Sequence, residues 1–257
     1  RRCRADCMVL SLICLACLIS PTSAKPPDAA AAHNDPSASD ADFDAAYDSD
    51  KVGTFFDLAR HDVGLLHEFL ALRTLRPIGV WNANDKVTQR ISQVATIFSL
   101  DLRGHDVTNK SLESIRNMRQ LRELVLVDTS IDGEKLANLG ALSRLRHLKI
   151  TSSPIEEDSL QFVEKLERLE QLTLADIGIS DADVRSMTTC RHLKTLFLGN
   201  VKVSDSAISD LGTMKQLKYL FLAGTDISED GVRKLESLLP STTITWSSRG
   251  KAMVSEK

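Results

Sequence analysis

From residue 97 onward the chain repeats itself every 24 residues without an insertion. Units open at Ile97, Leu121, Leu145, Leu169, Leu193 and Leu217, and each carries apolar residues at its positions 1, 4, 6, 11, 16, 19 and 22. The unit from Leu121 reads LRELVLVDTSIDGEKLANLGALSR, and that from Leu169 reads LEQLTLADIGISDADVRSMTTCRH. A fixed period of this length means that each unit is one supersecondary motif, able to bury its apolar side only against its neighbours. A linear array of stacked units follows.

Two shorter periods lie inside each unit. Positions 4 and 6 differ by two, so both point to one face of a strand while position 5 points to the other. Positions 16, 19 and 22 form one stripe of a short helix. Ser180-Asp181, Ser204-Asp205 and Ser228-Glu229-Asp230 sit where that helix starts and offer oxygens to its unpaired amides. Ile244 and Trp246 open a further unit in register, and Leu75, Ile78 and Val80 repeat the opening pattern in a unit shortened to 22 residues. Strands are therefore expected near 78–80, 100–102, 124–126, 148–150, 172–174, 196–198, 220–222 and 244–246. Leu66, Phe69 and Leu72 mark a capping helix near 61–73.

This pattern resembles LxxLxLxx(N/T)x(I/L) of the leucine-rich repeat family over roughly residues 75–246. The similarity is closest to the I-(S/T)-D variants of exported bacterial leucine-rich repeat proteins and of the repeat portions of F-box adaptors. It implies an α/β fold, a right-handed β-α solenoid with about eight short parallel strands. One column departs from the family. Position 9, often Asn or Cys there, reads His105, Thr129, Ser153, Ile177, Val201 and Thr225.

In such a solenoid positions 3, 5 and 7 line the concave face, with equal positions of adjacent units about 4.8 Å apart. Position 3 runs Ser99, Glu123, His147, Gln171, Thr195, Tyr219, and position 5 runs Asp101, Val125, Lys149, Thr173, Phe197, Phe221. The first half is polar and the second carries three aromatics together. Phe197, Phe221 and Tyr219 are the leading partner-binding candidates, because large aromatics supply much of the energy at recognition surfaces. Thr195, Thr173, Gln171, Lys149, His147, Glu123 and Asp101 complete the candidate face. Asp101, Glu123, His147 and Lys149 read as a solvated polar patch. Ser99 and His147 are two strands apart, roughly 9 to 10 Å, too far for a nucleophile and its base.

Arg119, Arg122, Arg144, Arg146, Arg191, Lys194, Lys215 and Lys218 fall along one edge, while Asp132, Asp181, Asp183, Asp205 and Asp230 gather at helix starts. A basic ridge could hold an anionic polymer, but this distribution is also the one that the helix dipole favours. His61 and His67 lie on opposing faces of the expected helix, and there is no CxxC, no Gly-rich phosphate loop and no GxSxG. No catalytic residue, metal or cofactor is therefore assigned.

Residues 1–24 read as a signal peptide. Arg1, Arg2 and Arg4 precede a 12-residue apolar run, Met8 to Ile19, and small residues end at Ala24. The run is short for a bilayer span of about 20 residues. Membrane attachment would rest on an uncleaved anchor or a lipid at the N-terminus. Cys3, Cys7, Cys14 and Cys17 lie in this segment, leaving Cys190 alone in a column that other units fill with Leu or Met. It reads as a buried thiol. Residues 25–50 hold seven Asp, one Lys and three Pro, and read as a disordered acidic tether.

The expected organisation is thus 1–24 signal, 25–50 tether, 51–96 capping helix and shortened repeat, 97–240 six repeats, and 241–257 terminal strand and tail. The formal charge is −3, and from residue 51 onward basic and acidic residues nearly balance, which argues against nucleic acid as a partner. The reading is an exported, non-enzymatic module that binds a protein or peptide through its concave face. A structural surface spacer is the alternative. An F-box-like ubiquitin ligase adaptor is another, but residues 51–73 lack the Leu-Pro opening of an F-box.

Overall fold

The computed structural model describes residues 54–57, 78–92 and 97–248. The expected signal and tether segments, the expected helix near 61–73 and the expected tail after 248 lie outside the described residues.

Among the described residues, nine parallel strands form one sheet in chain order: β1 (Thr54–Asp57), β2 (Ile78–Ala83), β3 (Ile97–Arg103), β4 (Glu123–Val127), β5 (His147–Thr151), β6 (Gln171–Ala175), β7 (Thr195–Gly199), β8 (Tyr219–Thr225) and β9 (Thr243–Ser248). From β3 to β8 each residue pairs with the one 24 positions on, as in Leu124↔Leu148↔Leu172↔Leu196. All eight strands expected from the period are present. The ninth, β1, was not anticipated, although Thr54↔Ile78 and Phe56↔Val80 keep the same separation of 24. The unit between β2 and β3 is shorter than the spacing suggested. Val80 faces Leu100 and Ala83 faces Leu102, with register shifts between them. The reason is local: Asn84 caps the next helix, its Oδ1 accepting from the Val87 N–H at 3.1 Å, so that helix starts almost directly after the strand.

The columns at positions 1, 4, 6, 11, 16, 19 and 22 build one continuous core, with Leu124, Leu126, Leu172, Leu174, Leu196 and Leu198 fully buried. Cys190 belongs to it. Burial pushes its thiol up to about 11, so it packs as a small apolar side chain and is not a nucleophile at neutral pH.

The return segments are α1 (Asp85–Ile91), α2 (Asn109–Ile115), α3 (Asp181–Met187), α4 (Ile208–Leu211) and α5 (Glu229–Leu238), with 3-10 turns at Gly133–Ala141, Leu160–Lys165 and Asp205–Ala207. Two whole units thus replace the expected α-helix with a 3-10 segment. A stripe spaced by threes fits three residues per turn as well as it fits an α-helix. In one unit Gly133 and Gly140 weaken the α-helix. In the other, Asp158 has a positive φ of 62° and delays the start to Leu160.

Position 8 takes a left-handed conformation in all six units: Gly104, Asp128, Ser152, Asp176, Asn200 and Gly224 have φ between 50° and 93°. These are residue types that tolerate that region. The turn extends the sheet ladder by one bond per unit, as when the Asp128 N–H donates to the Thr151 carbonyl at 3.0 Å.

Neighbouring units are also clamped by carboxylates. Asp205 accepts from the Ser228 N–H at 2.8 Å and its hydroxyl at 2.6 Å, and Asp181 does the same for Ser204 at 2.6 Å each. Asp85 holds Thr108 in this way and also accepts from Ser111 Oγ. The clamped hydroxyl accepts in turn from its own helix, as Ser228 Oγ does from the Gly231 N–H. Each Ser or Thr therefore caps one helix while bonded to the unit before it.

Candidate functional site

Positions 3, 5 and 7 of β3 to β9 share the solvent face of the sheet, because positions 4 and 6 are committed to the core. The register places the candidate residues in two rows, Ser99↔Glu123↔His147↔Gln171↔Thr195↔Tyr219 and Asp101↔Val125↔Lys149↔Thr173↔Phe197↔Phe221. All ten candidates lie on this one face.

At its N-terminal end two acidic side chains are paired with basic ones. Arg103 Nε and Nη2 donate to the two oxygens of Asp101 at 2.7 and 2.8 Å, and Asp101 is 9% exposed. His147 Nδ1 lies 3.0 Å from Glu123 Oε1. Three of the four residues of the expected solvated patch are here in close pairs, since neighbours two apart on one strand, or level on adjacent strands, bring acidic and basic side chains into contact, and Lys149 is in neither pair. Ser99 is buried and stands two strands from His147, with Glu123 between them.

At the C-terminal end the face is aromatic. The rings of Phe197 and Phe221 lie 6.0 Å apart at 34°, and those of Tyr219 and Phe221 6.4 Å apart at 19°. Both separations fall in the range of favourable ring pairs. Tyr219 is 48% exposed, and among the described residues it is the large hydrophobic side chain most open to solvent. Column 7 makes room for the Phe197 ring. It reads Ala175, Gly199, Ala223 along β6 to β8, and a Cβ at Gly199 would stand 2.7 Å from Phe197 Cε1. The sequence reading missed this shelf. Its signal was available, three small residues at one position of consecutive units.

The basic edge is largely engaged within the fold. Glu170 receives Lys194 Nζ at 2.6 Å and lies 3.6 Å from Arg146 Nη1. Burial would raise its carboxyl, but the Lys194 hydrogen bond and the charges of Lys194, Arg146 and His147 outweigh that and hold it below its ordinary value. Arg144 bonds Gln120, and Lys215 bonds the Leu238 carbonyl at a helix C-terminus, as the helix-dipole reading requires. Among the described residues no group of three or more His, Cys, Asp or Glu could hold a metal ion.

The fold is that of the leucine-rich repeat proteins. It superposes on internalin C2 from Listeria monocytogenes with a TM-score of 0.51 at 21% identity, covering 66% of this chain and 68% of that one. It superposes on a second internalin of the same species with a TM-score of 0.51 at 24% identity, covering 68% of this chain and 54% of that one. No protein-family model and no curated protein sequence matches the chain.

Proposed function

We propose that this leucine-rich repeat solenoid is an exported, non-enzymatic recognition module that binds a protein or peptide on the solvent face of its sheet, centred on Phe197, Tyr219 and Phe221. The observation that carries the reading is the aromatic cluster itself. Three of the chain's 12 aromatics sit together on a face whose core-closing role is met by positions 4 and 6. Contiguous apolar surface turned to solvent disfavours solubility, and aromatic groups dominate the energy of recognition surfaces. Export rests on the N-terminal Arg cluster, the apolar run and the small residues ending at Ala24.

The test is the paired substitution of Phe197→Ser and Phe221→Ser in the full chain. Retention of extracytoplasmic proteins on the immobilised wild-type chain, lost in the double variant, supports recognition. Identical behaviour of the two proteins favours a spacer that uses only the rigidity of the stacked units.

A further inference from the structure

The charges around the aromatic cluster carry a statement about what it binds, which rests on the recognition reading above. On the strand rows and the residues just before them, each carboxylate faces a basic side chain: Asp101 faces Arg103, Glu123 faces His147, and Glu170 faces Lys194 and Arg146. Two ammonium groups are left over. Among the described residues, the side chains of Lys149 and Lys218 have no hydrogen-bond or ion-pair partner. Lys149 is half-buried on the solvent face, level with Thr173, Phe197 and Phe221 on the next three strands. Lys218 is exposed and immediately precedes Tyr219. Lys149 thus lies in the same row as Phe197 and Phe221, two strands from the nearer ring, and Lys218 adjoins Tyr219 in the chain, neither with an ion-pair partner among the described residues.

This arrangement selects among partners. A cationic ligand would gain from the ring faces but would meet two like charges. A neutral apolar ligand would leave Lys149 half-desolvated and still unpaired, which is costly. A carboxylate beside an apolar side chain satisfies both. Lys149 and Phe197 are two strands apart, about 10 Å, and an extended peptide covers that distance in about three residues. Acidic side chains on the turns at the far edge, Asp128 and Asp176, already contact His105 and the Asn200 amide. Negative charge there turns the ligand's carboxylates toward the Lys149 and Lys218 side.

We infer that the face binds an acidic, aromatic-bearing extended peptide segment, its aromatic ring stacking on Phe197, Tyr219 and Phe221 and its carboxylates pairing with Lys149 and Lys218.

The test uses the full chain and three labelled peptides read by fluorescence anisotropy. One has a central Phe with an Asp three residues to either side, one has Lys in place of each Asp, and one has Ser in place of Phe. The acidic Phe peptide should bind best, and binding should weaken as salt is raised. Lys149→Ala and Lys218→Ala should each weaken it about three- to tenfold, and Lys149→Glu should shift preference toward the Lys peptide. Equal binding of the Asp and Lys peptides, or of the wild-type and Lys149→Ala chains, overturns the inference while leaving aromatic recognition standing, provided Phe221→Ser still weakens both. If Phe221→Ser leaves binding of every peptide unchanged, the recognition reading itself fails. If no peptide binds, the inference is overturned.

Discussion

The two halves of the solvent face share one backbone and differ in what their side chains are for. In β3 to β5 two pairs of groups answer one another, Asp101 with Arg103 and Glu123 with His147. In β7 and β8 they answer nothing polar in the fold. The rings of Phe197, Tyr219 and Phe221 pack on one another, Phe197 over Gly199, and Tyr219 is half open to solvent. The core columns beneath run through both halves without change. The lesson is that the repeat specifies the scaffold, and the positions that break the repeat carry whatever distinguishes this protein from another of its length.

If the two halves do share one core, a central strand should show it with the largest effect. Leu172 is fully buried and Thr173, one residue along, is turned outward. Leu172→Ala should cost about 2 to 5 kcal/mol in chemical denaturation, the transfer and cavity cost of a buried leucine. Equal losses for Leu172→Ala and Thr173→Ala would break the division of each strand into a core side and a solvent side.

The aromatic half should be sensitive to volume. Gly199→Val places a branched side chain where Phe197 lies, and should cost about 1 to 3 kcal/mol by overpacking while displacing the ring and weakening partner binding. A variant that keeps both native stability and native binding would show that the small column supports nothing.

The polar half should be sensitive to pH at its border. Glu170 is held below its ordinary value of 4.5, so its ion pairs with Lys194 and Arg146 favour the folded state above that value. The contribution is lost as pH falls through the lower, folded value. The stability difference between wild type and Glu170→Gln should therefore be constant near neutrality and shrink in acid. A difference that grows in acid would contradict the sign.

The smallest effect belongs to the outward side of the same central strand. Thr173→Ala should stay within about 0.5 kcal/mol of wild type.

Much of this was legible in the sequence, and the reason is the period. A column repeated over six units fixes which residues face the core, so the register of β3 to β9 and the membership of both face rows could be written down from spacing alone. Spacing could not separate an α-helix from a 3-10 turn at Leu136, Leu139 and Leu142, because a stripe of threes suits both. Nor could it place β1, where the shortened unit after β2 obscures the 24-residue separation that Thr54 and Ile78 keep. The clamps of Asp181 on Ser204 and Asp205 on Ser228 were half visible. The Ser-Asp pairs were read as caps within one unit, while each carboxylate in fact reaches the next. For the site, the aromatic cluster followed from the rows. The pairing of Glu123 and Asp101, which leaves Lys149 unmatched, needed side-chain geometry.

The most direct test of the difference between the halves is photo-crosslinking in the native host, with the reactive group placed either at Thr195, among the aromatics, or at Arg103, on the same face at the polar end. A discrete protein or peptide adduct from Thr195, and none or far less from Arg103, is the outcome expected if the C-terminal half is the recognition surface. Equal adducts from both positions, or a stronger one from Arg103, would contradict it.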